Sequence, residues 1–415
     1  MREMKDSGLQ WAGDIPQYWN IAKGKHFMAV LERPVRDDDN VITCFRDGEV
    51  TLRSNRREDG FTVATVEAGY QGIEPGDLVV HGMDGFAGAI GISDSRGKGT
   101  PALNVLSCSE NKKYIMYLLR AMAYTEVFMA LSTGIRVRTC DTNWKKLKSL
   151  DYLIPPADEQ QCIADFLDAK CAEIDALTAD IQTQIDTLEQ YKRSVITETV
   201  TKGLNPNAEM KDSGIQWIGN MPAHWDVVRG KYILHYMQKP VREDDGVITC
   251  FRDGEVTLRS NRREEGFTMS DKEIGYQGID VGDLVVHGMD GFAGSIGISD
   301  SRGKASPVLN VLDTDQCKRY IMYYLRSMAY SDVFLTLATG IRVRSCDLRW
   351  NKLAELSYPV PPLDEQNAIV KHIDSVLSKA DAVIADKEAQ LATLDEYKKS
   401  LIFEYVTGKK EVPVS

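Results

Sequence analysis

The sequence overlays on itself, without a gap, when shifted by 206 residues. Lys5-Asp-Ser-Gly returns as Lys211-Asp-Ser-Gly, Pro155-Pro156 as Pro361-Pro362, and Tyr191-Lys192 as Tyr397-Lys398. Trp11, Trp19 and Trp144 return as Trp217, Trp225 and Trp350, so the repeat pairs all six tryptophans. Two units of 206 account for 412 of the 415 residues. Solenoid repeats have periods of roughly 20–50 residues, so this chain is instead a tandem of two large modules. Identity within the unit is uneven. Between Val41–Lys98 and Val247–Lys304, 49 of 58 positions match; between Pro156–Val200 and Pro362–Val406, 19 of 45 do. Recent duplication with chance drift is the plain explanation. The sharper one is that both copies of the first stretch present the same surface.

Each unit has two parts. In the first, the Trp11–Trp19 cluster (Trp-x-Gly-x-x-Pro-x-x-Trp) has the spacing of packing anchors. Residues 36–75 alternate short strand-like runs with polar turns. Leu78–His81 predicts a strand, Gly82–Gly88 a Gly-rich loop and Ala89–Ile92 a return strand. Tyr114–Leu131 predicts a helix stopped by Gly134, and Arg136-Val-Arg138 an extended segment. This mixture predicts an α+β globule of about 150 residues. In the second part, Pro155-Pro156 bars helix continuation from upstream. Asp158 then predicts an N-cap, with Gln161 at the capping-box position. From there to about Val200, apolar residues recur at helical spacing: Leu167, Cys171, Ile174, Leu177, Ile181, Ile185, Leu188, Tyr191 and Val195. The second copy has Ile373, Leu377, Ala380, Val383, Leu391, Leu394, Tyr397 and Leu401, with Lys387 interrupting where the first has Ile181. About 43 residues make a rod of roughly 65 Å, and two such amphipathic rods are expected to pair antiparallel.

Formal charge is −11, which on its face argues against nucleic acid. Partition changes that. Asp158–Gln190 carries net −8 and Asp364–Glu396 net −5, so the two helices account for −13 and the remainder is about +2. Basic residues cluster in the globular parts: Arg46, Arg53, Arg56 and Arg57, then Arg136, Arg138, Lys145, Lys146 and Lys148, both groups recurring in the second copy in whole or in part. No apolar run reaches the roughly 18 residues of a membrane span. Eight cysteines without CxxC pairs fit reduced thiols in a cytoplasmic protein.

No catalytic motif is complete in the sequence. Gly91–Lys98 misses a nucleotide-binding loop by one residue, and Gly99 stands where Ser or Thr is needed. The Gly motif of S-adenosylmethionine enzymes fails at Gly85–Gly88, and neither Ile154-Pro-Pro-Ala157 nor Val360-Pro-Pro-Leu363 supplies the Pro-Pro-aromatic motif of amino-methyltransferases. His81 and Asp84 lack a third acid–base partner. Asp37-Asp38-Asp39 has the composition of a Mg²⁺ site but matches a solvated turn better. A catalytic role and a bound metal or cofactor are therefore not expected.

This plan resembles the specificity subunit of a Type I restriction–modification enzyme. The resemblance rests on Lys5–Trp11 with Ile15-Pro16 and Trp19, repeated at Lys211–Trp225. It rests also on Gly76-Asp77-Leu-Val79 before the Gly-rich loop, and on Ser132-Thr-Gly134. Most telling is Ile154-Pro-Pro-Ala-Asp158-Glu-Gln160, repeated as Val360-Pro-Pro-Leu-Asp364-Glu-Gln366. It implies two target recognition domains, 1–157 and 204–363, each followed by a helix, 158–203 and 364–408, that pair as an antiparallel coiled coil. It implies double-stranded DNA, two methylation subunits that modify adenine, and restriction (translocase/nuclease) subunits as partners. S-adenosylmethionine, ATP and Mg²⁺ then sit on those partners, and this chain is non-catalytic. Because the modules are nearly the same, an interrupted palindrome with equivalent half-sites is expected. Within this plan the DNA-contact candidates are Arg46, Arg53, Asn55, Arg56, Arg57, His81, Asp84, Phe86, Arg136, Arg138 and Lys145. In the second copy they are Arg252, Arg259, Asn261, Arg262, Arg263, His287, Asp290, Phe292, Arg342, Arg344 and Arg349. Arg reads guanine and Asn adenine; Phe86, at a loop tip, is a candidate wedge or, equally, a core-packing residue. The differences Val63–Val66 against Met269–Lys272, and Glu74-Pro75 against Asp280-Val281, are where half-sites would diverge. The alternatives are a free-standing two-domain regulator on a coiled-coil spacer and a pure assembly scaffold.

Overall fold

The computed structural model describes residues 2–56, 68–130, 142–262, 274–336 and 348–413. The chain divides into two compact units: residues 1–181 with 388–415, and residues 182–387. Neither is a continuous stretch matching one repeat. Each contains one globular module, the start of the long helix that follows it, and the final half of the other long helix.

In the first unit, four antiparallel strands form the central sheet in the order Met28–Val30, Leu103–Cys108, Leu78–His81, Ile90–Ile92. The strand and return strand expected around the Gly-rich loop are thus present. Val79 and Val80 are fully buried, on the two faces of the strand that their alternation predicts. One face carries Leu78, Val80 and Ile90 against the helix Lys112–Tyr124, whose residues Tyr114 to Ala123 are all buried. The other face carries Val79 and Val105 against the ribbon Ile42–Cys44/Val50–Leu52. Trp19 is fully buried, as its packing role requires. The helix expected over Tyr114–Leu131 is broken. It stops at Tyr124, Glu126 adopts φ +60°, and a short helix resumes at Val127–Ala130. The Thr125 hydroxyl donates to the Ala121 carbonyl, and its amide closes the last turn onto the same oxygen. Gly134 and Arg136–Arg138 lie outside the described residues.

The long helix of the first module is Ala157–Lys202. It starts one residue ahead of the expected cap. The amides of Glu159 and Gln160 donate to the Pro156 carbonyl, and Asp158 sits inside the first turn. There is no capping box, because the Gln161 side chain accepts from Asn111 and donates to Asp165 instead. Residues 157–181 lie against residues 388–406 of the second long helix, Leu363–Val406. Phe166 meets Tyr405 with ring centroids 4.5 Å apart, and Asp175 pairs with Lys398 at 2.6 Å. Numbers rise along one helix as they fall along the other, so the pairing is antiparallel. Leu167, Cys171, Ile174 and Ile181 are buried in the seam as expected. Leu177 and Tyr397 are not; both are about half exposed. An α-helix gains on a 3.5-residue repeat by about 20° per heptad, which rotates such positions out of a two-helix seam.

The second unit repeats this plan. Its sheet runs His235–Tyr236, Leu309–Asp313, Leu284–His287, Ile296–Ile298. Its module helix is Lys318–Tyr330, followed by Asp332 at φ +55° and the short helix Val333–Thr336. Lys192 pairs with Asp381 at 2.6 Å, and Lys387 donates to Gln184, again antiparallel. Ile185, Ile196, Val200, Ile373, Ala380 and Ile384 are buried, whereas Val383 and Tyr191 are exposed.

Candidate nucleic-acid interface

The motif at each helix start joins helix to module. Gln160 is 1% exposed. Its Oε1 accepts from the Asn111 amide at 3.0 Å, and its Nε2 donates to the Pro155 carbonyl at 2.9 Å and to Glu110 at 2.7 Å. The carboxylate of Glu159 accepts from the Trp19 indole at 3.0 Å. Gln366 and Glu365 do the same for the Cys317 amide, the Pro361 carbonyl and the Trp225 indole. The far helix is held too. Tyr114 donates to the Leu153 and Val406 carbonyls, and Tyr320 to those of Pro359 and Val200. Burial pushes both phenols well above the ordinary tyrosine range, so they remain donors. Each module is therefore fixed to two helix ends by buried hydrogen bonds.

On the module, two features come together. One is the turn Arg46-Asp47-Gly48 of the ribbon; the other is the loop Gly82–Gly88. Arg46 pairs with Asp84 at 2.8 Å, and Arg252 with Asp290 at 3.1 Å, with both arginines largely exposed. Arg120, buried in the module helix, ties the turn to the strand that follows the loop by donating to the carbonyls of Ile90 and Gly48, at 2.8 and 2.9 Å. Gly48 has φ +88°, and a Cβ there would lie 1.9 Å from the Arg120 guanidinium, so a side chain at this turn is strained and displaces that guanidinium. Arg53 donates to Thr43 at 3.2 Å and Asn55 to Thr51 at 2.8 Å; Arg259 and Asn261 repeat both bonds. Arg56 lies over the Phe45 ring, 4.3 Å from its centroid, and pairs with Asp47 and Glu49. Arg262 does the same over Phe251 with Asp253 and Glu255. These cations are presented in defined orientations rather than on free tethers.

His81 and His287 are turn formers. The Nδ1 of His81 accepts from the amides of Met83 and Asp84, at 3.2 and 3.0 Å, so that nitrogen carries no proton. Burial holds both imidazoles below the ordinary histidine range, outweighing the neighbouring carboxylate. Of the two roles open to Phe86 and Phe292, wedge or core packing, the structure shows the packing. Both lie in a one-turn 3₁₀ helix and pack against the core, so neither stands at a loop tip. The exposed apolar side chains of the loops are Met83 and Met289, at 58% and 52%. Nothing in the sequence marks them, because Met between Gly and Asp carries no motif. Lys145 is exposed on the short helix Trp144–Leu147, and Arg349 is exposed at the N-cap of Trp350–Glu355. Arg57, Arg136, Arg138, Arg263, Arg342 and Arg344 lie outside the described residues.

The Asp run is also corrected. Asp39 is buried, not solvated: Arg96 grips both its oxygens at 2.8 Å, and the Arg36 amide donates to one of them. The Arg96 hydrogen bonds hold its carboxyl down at about 2. Arg96 also bonds Glu74, and Arg33 bonds Asp77. In the second unit Asp245, Arg302, Asp280 and Asp283 rebuild this network around Lys239, which replaces Arg33. The Glu74/Asp280 difference is thus absorbed inside an ion-pair network. Val281, in place of Pro75, is 66% exposed. Among the described residues no group of His, Cys, Asp and Glu is placed to hold a metal ion, and no helix is long and apolar enough to cross a membrane.

No protein-family model matches the chain. Curated proteins do. The putative type I restriction enzyme MjaX specificity subunit of Methanocaldococcus jannaschii is 24% identical over 96% of this chain and 95% of its own length. The StySPI specificity subunit of Salmonella potsdam is 19% identical over 96% and 90%. Among solved structures, a chain from work on complex assembly and conformational transition of the type I R-M system superposes with a TM-score of 0.67. It is 13% identical and covers 95% of this chain and 99% of that one, a likeness of fold. The resemblance to type I specificity subunits is thereby borne out along essentially the whole chain, and the non-catalytic reading stands with it.

Proposed function

We propose that this chain is the DNA-reading subunit of a type I restriction–modification complex and reads an interrupted palindrome. The recognition modules span 1–157 and 204–363, and the paired helices space them and dock two methylation subunits that modify adenine. Restriction subunits join that complex. Arg46, Arg53, Asn55, Arg56 and Met83, with their counterparts 206 residues on, form the reading surface. Arg57, Arg136, Arg138 and Lys145 add base or phosphate contacts.

One observation carries the symmetry. Four side-chain pairings on this surface recur in the second copy: Arg46–Asp84, Arg53–Thr43, Asn55–Thr51 and Arg56–Asp47. Equal donors in equal orientations select equal bases. Partner subunits supply most of the phosphate grip, because about +2 outside the helices is too little to hold a duplex. Sequencing the methylated sites of cells that carry the cognate methylation subunit tests this. Two inverted copies of one half-site are expected; two unrelated half-sites refute it.

A further inference from the structure

The two modules differ at one place that their near-identity makes conspicuous. In the second unit Tyr236 lies over Trp350, rings 28° apart and centroids 5.8 Å apart, an offset stack. The residue matching Tyr236 in the first unit is Val30. Both occupy the same strand register, Val30 opposite Leu106 and Tyr236 opposite Leu312. Val30 and Trp144 line a cleft of about 740 Å³, within the roughly 300–1,000 Å³ of small-ligand sites. Tyr70, Gln71 and Lys145 line it as well. The Gln71 Nε2 is spent on the Leu103 carbonyl at 2.9 Å, so its remaining polar atom is the acceptor Oε1. In the second unit the matching Gln277 Oε1 is buried without a partner. A chain with an aromatic ring of its own over one tryptophan, and a cleft beside the other, carries the mould of a planar ligand.

We infer that the Trp144 cleft of the first unit binds one nucleobase bearing an exocyclic amine. The base stacks on the indole in the position that Tyr236 takes over Trp350. Its amine donates to Gln71 Oε1, and Lys145 meets an attached phosphate. The base comes either from a free nucleotide or from a strand of DNA.

Calorimetric titration of the full chain with deoxyadenosine monophosphate, and separately with a short single-stranded oligonucleotide, tests this. One equivalent per chain is expected for the wild type and none for Val30→Tyr; Tyr236→Val should add a second, weaker equivalent, because Asn351 stands where the first unit has Lys145. Thymidine monophosphate, which lacks the amine, should bind at least about tenfold more weakly. Saturation by the oligonucleotide alone, lost in Val30→Tyr, makes the base a DNA-borne one. No saturable binding of either probe, or unchanged stoichiometry in both variants, overturns the inference. Because two variants with opposite expected shifts are used, misfolding of one does not decide the outcome. Site selection by the methylation complex is read separately, so a failure here is distinguishable from a failure of the specificity-subunit reading.

Discussion

Gln160→Leu is the sharpest perturbation of the joint between module and helix. Leucine has nearly the volume of glutamine, so no cavity opens, but the Asn111 amide and the Pro155 carbonyl lose their partner. The site is 1% exposed, so water does not replace it without local opening. Each stranded group costs about 1–3 kcal/mol. Two of them put the loss at about 2–6 kcal/mol, or at least about thirtyfold in an opening equilibrium. Hydrogen exchange on the full chain reads this locally, at the amides of Ile115 to Leu119 in the helix that Asn111 caps. Gln160→Glu should make the joint pH-sensitive. It keeps an acceptor for Asn111 but sets a carboxylate against the Pro155 carbonyl and Glu110. That raises its folded pKa above the ordinary glutamate value of about 4.3. Stability is then present below pH 4 and lost as pH rises through the folded value. A Gln160→Leu protein with protection within twofold of wild type, or a Gln160→Glu protein insensitive to pH, would refute the reasoning.

Three further outcomes follow from the same geometry. Asp84→Ala releases Arg46 from its pair; DNA affinity should rise for all sequences with a steeper salt slope, while Arg46→Ala should relax one base position by about 1–3 kcal/mol, both read by binding at several salt concentrations. Asp39 titrates at about 2 when folded, so the stability it lends is present above pH 4 and lost as pH falls towards 2; Asp39→Asn should flatten that part of an acid-unfolding curve. Leu177 and Tyr397 are exposed apolar residues on paired helices of the first unit; Leu177→Asp should leave helicity unchanged by circular dichroism and lower the yield of co-purified methylation subunit.

Some of this was legible in the residues alone. The repeat, the strand–loop–strand around Gly82–Gly88 and both long helices follow from local patterns: period, glycine spacing and apolar recurrence. What was not legible depends on contacts distant in sequence. Phe86 stays open between wedge and core in the sequence because nothing local says that its ring packs on a helix some 30 residues on. Asp39 looked solvated because its partner, Arg96, is 57 residues away. The break at Glu126 escaped notice because the stretch is apolar on both sides and a left-handed Glu carries no sequence signal. Glu159 and Trp19 were both singled out, in different motifs, yet only the fold joins them, across 140 residues.

The uneven identity of the repeat has a physical cause in the helices. Antiparallel pairing sets each position against a position of the other copy, so the two ends of the pairing need not match. The ionic contact is kept at both: Asp175–Lys398 in one unit is Asp381–Lys192 in the other. The aromatic contact is not. Phe166 and Tyr405 stack in the first unit, and their counterparts in the second are His372 and Thr199. A strictly repeated helix would pair equally well with its own copy in a second chain, since every seam would be interchangeable. Divergence in the seam makes the two ends chemically distinct and favours one register, as polar substitutions do in coiled coils. The recognition modules face the opposite demand if both half-sites are to be read alike. Exchanging Phe166 and Tyr405 for His and Thr should therefore restore equivalence at a cost, seen as chain–chain association in sedimentation at micromolar concentration. A variant whose association state and stability equal those of the wild type would remove seam divergence as the reason for the difference in identity.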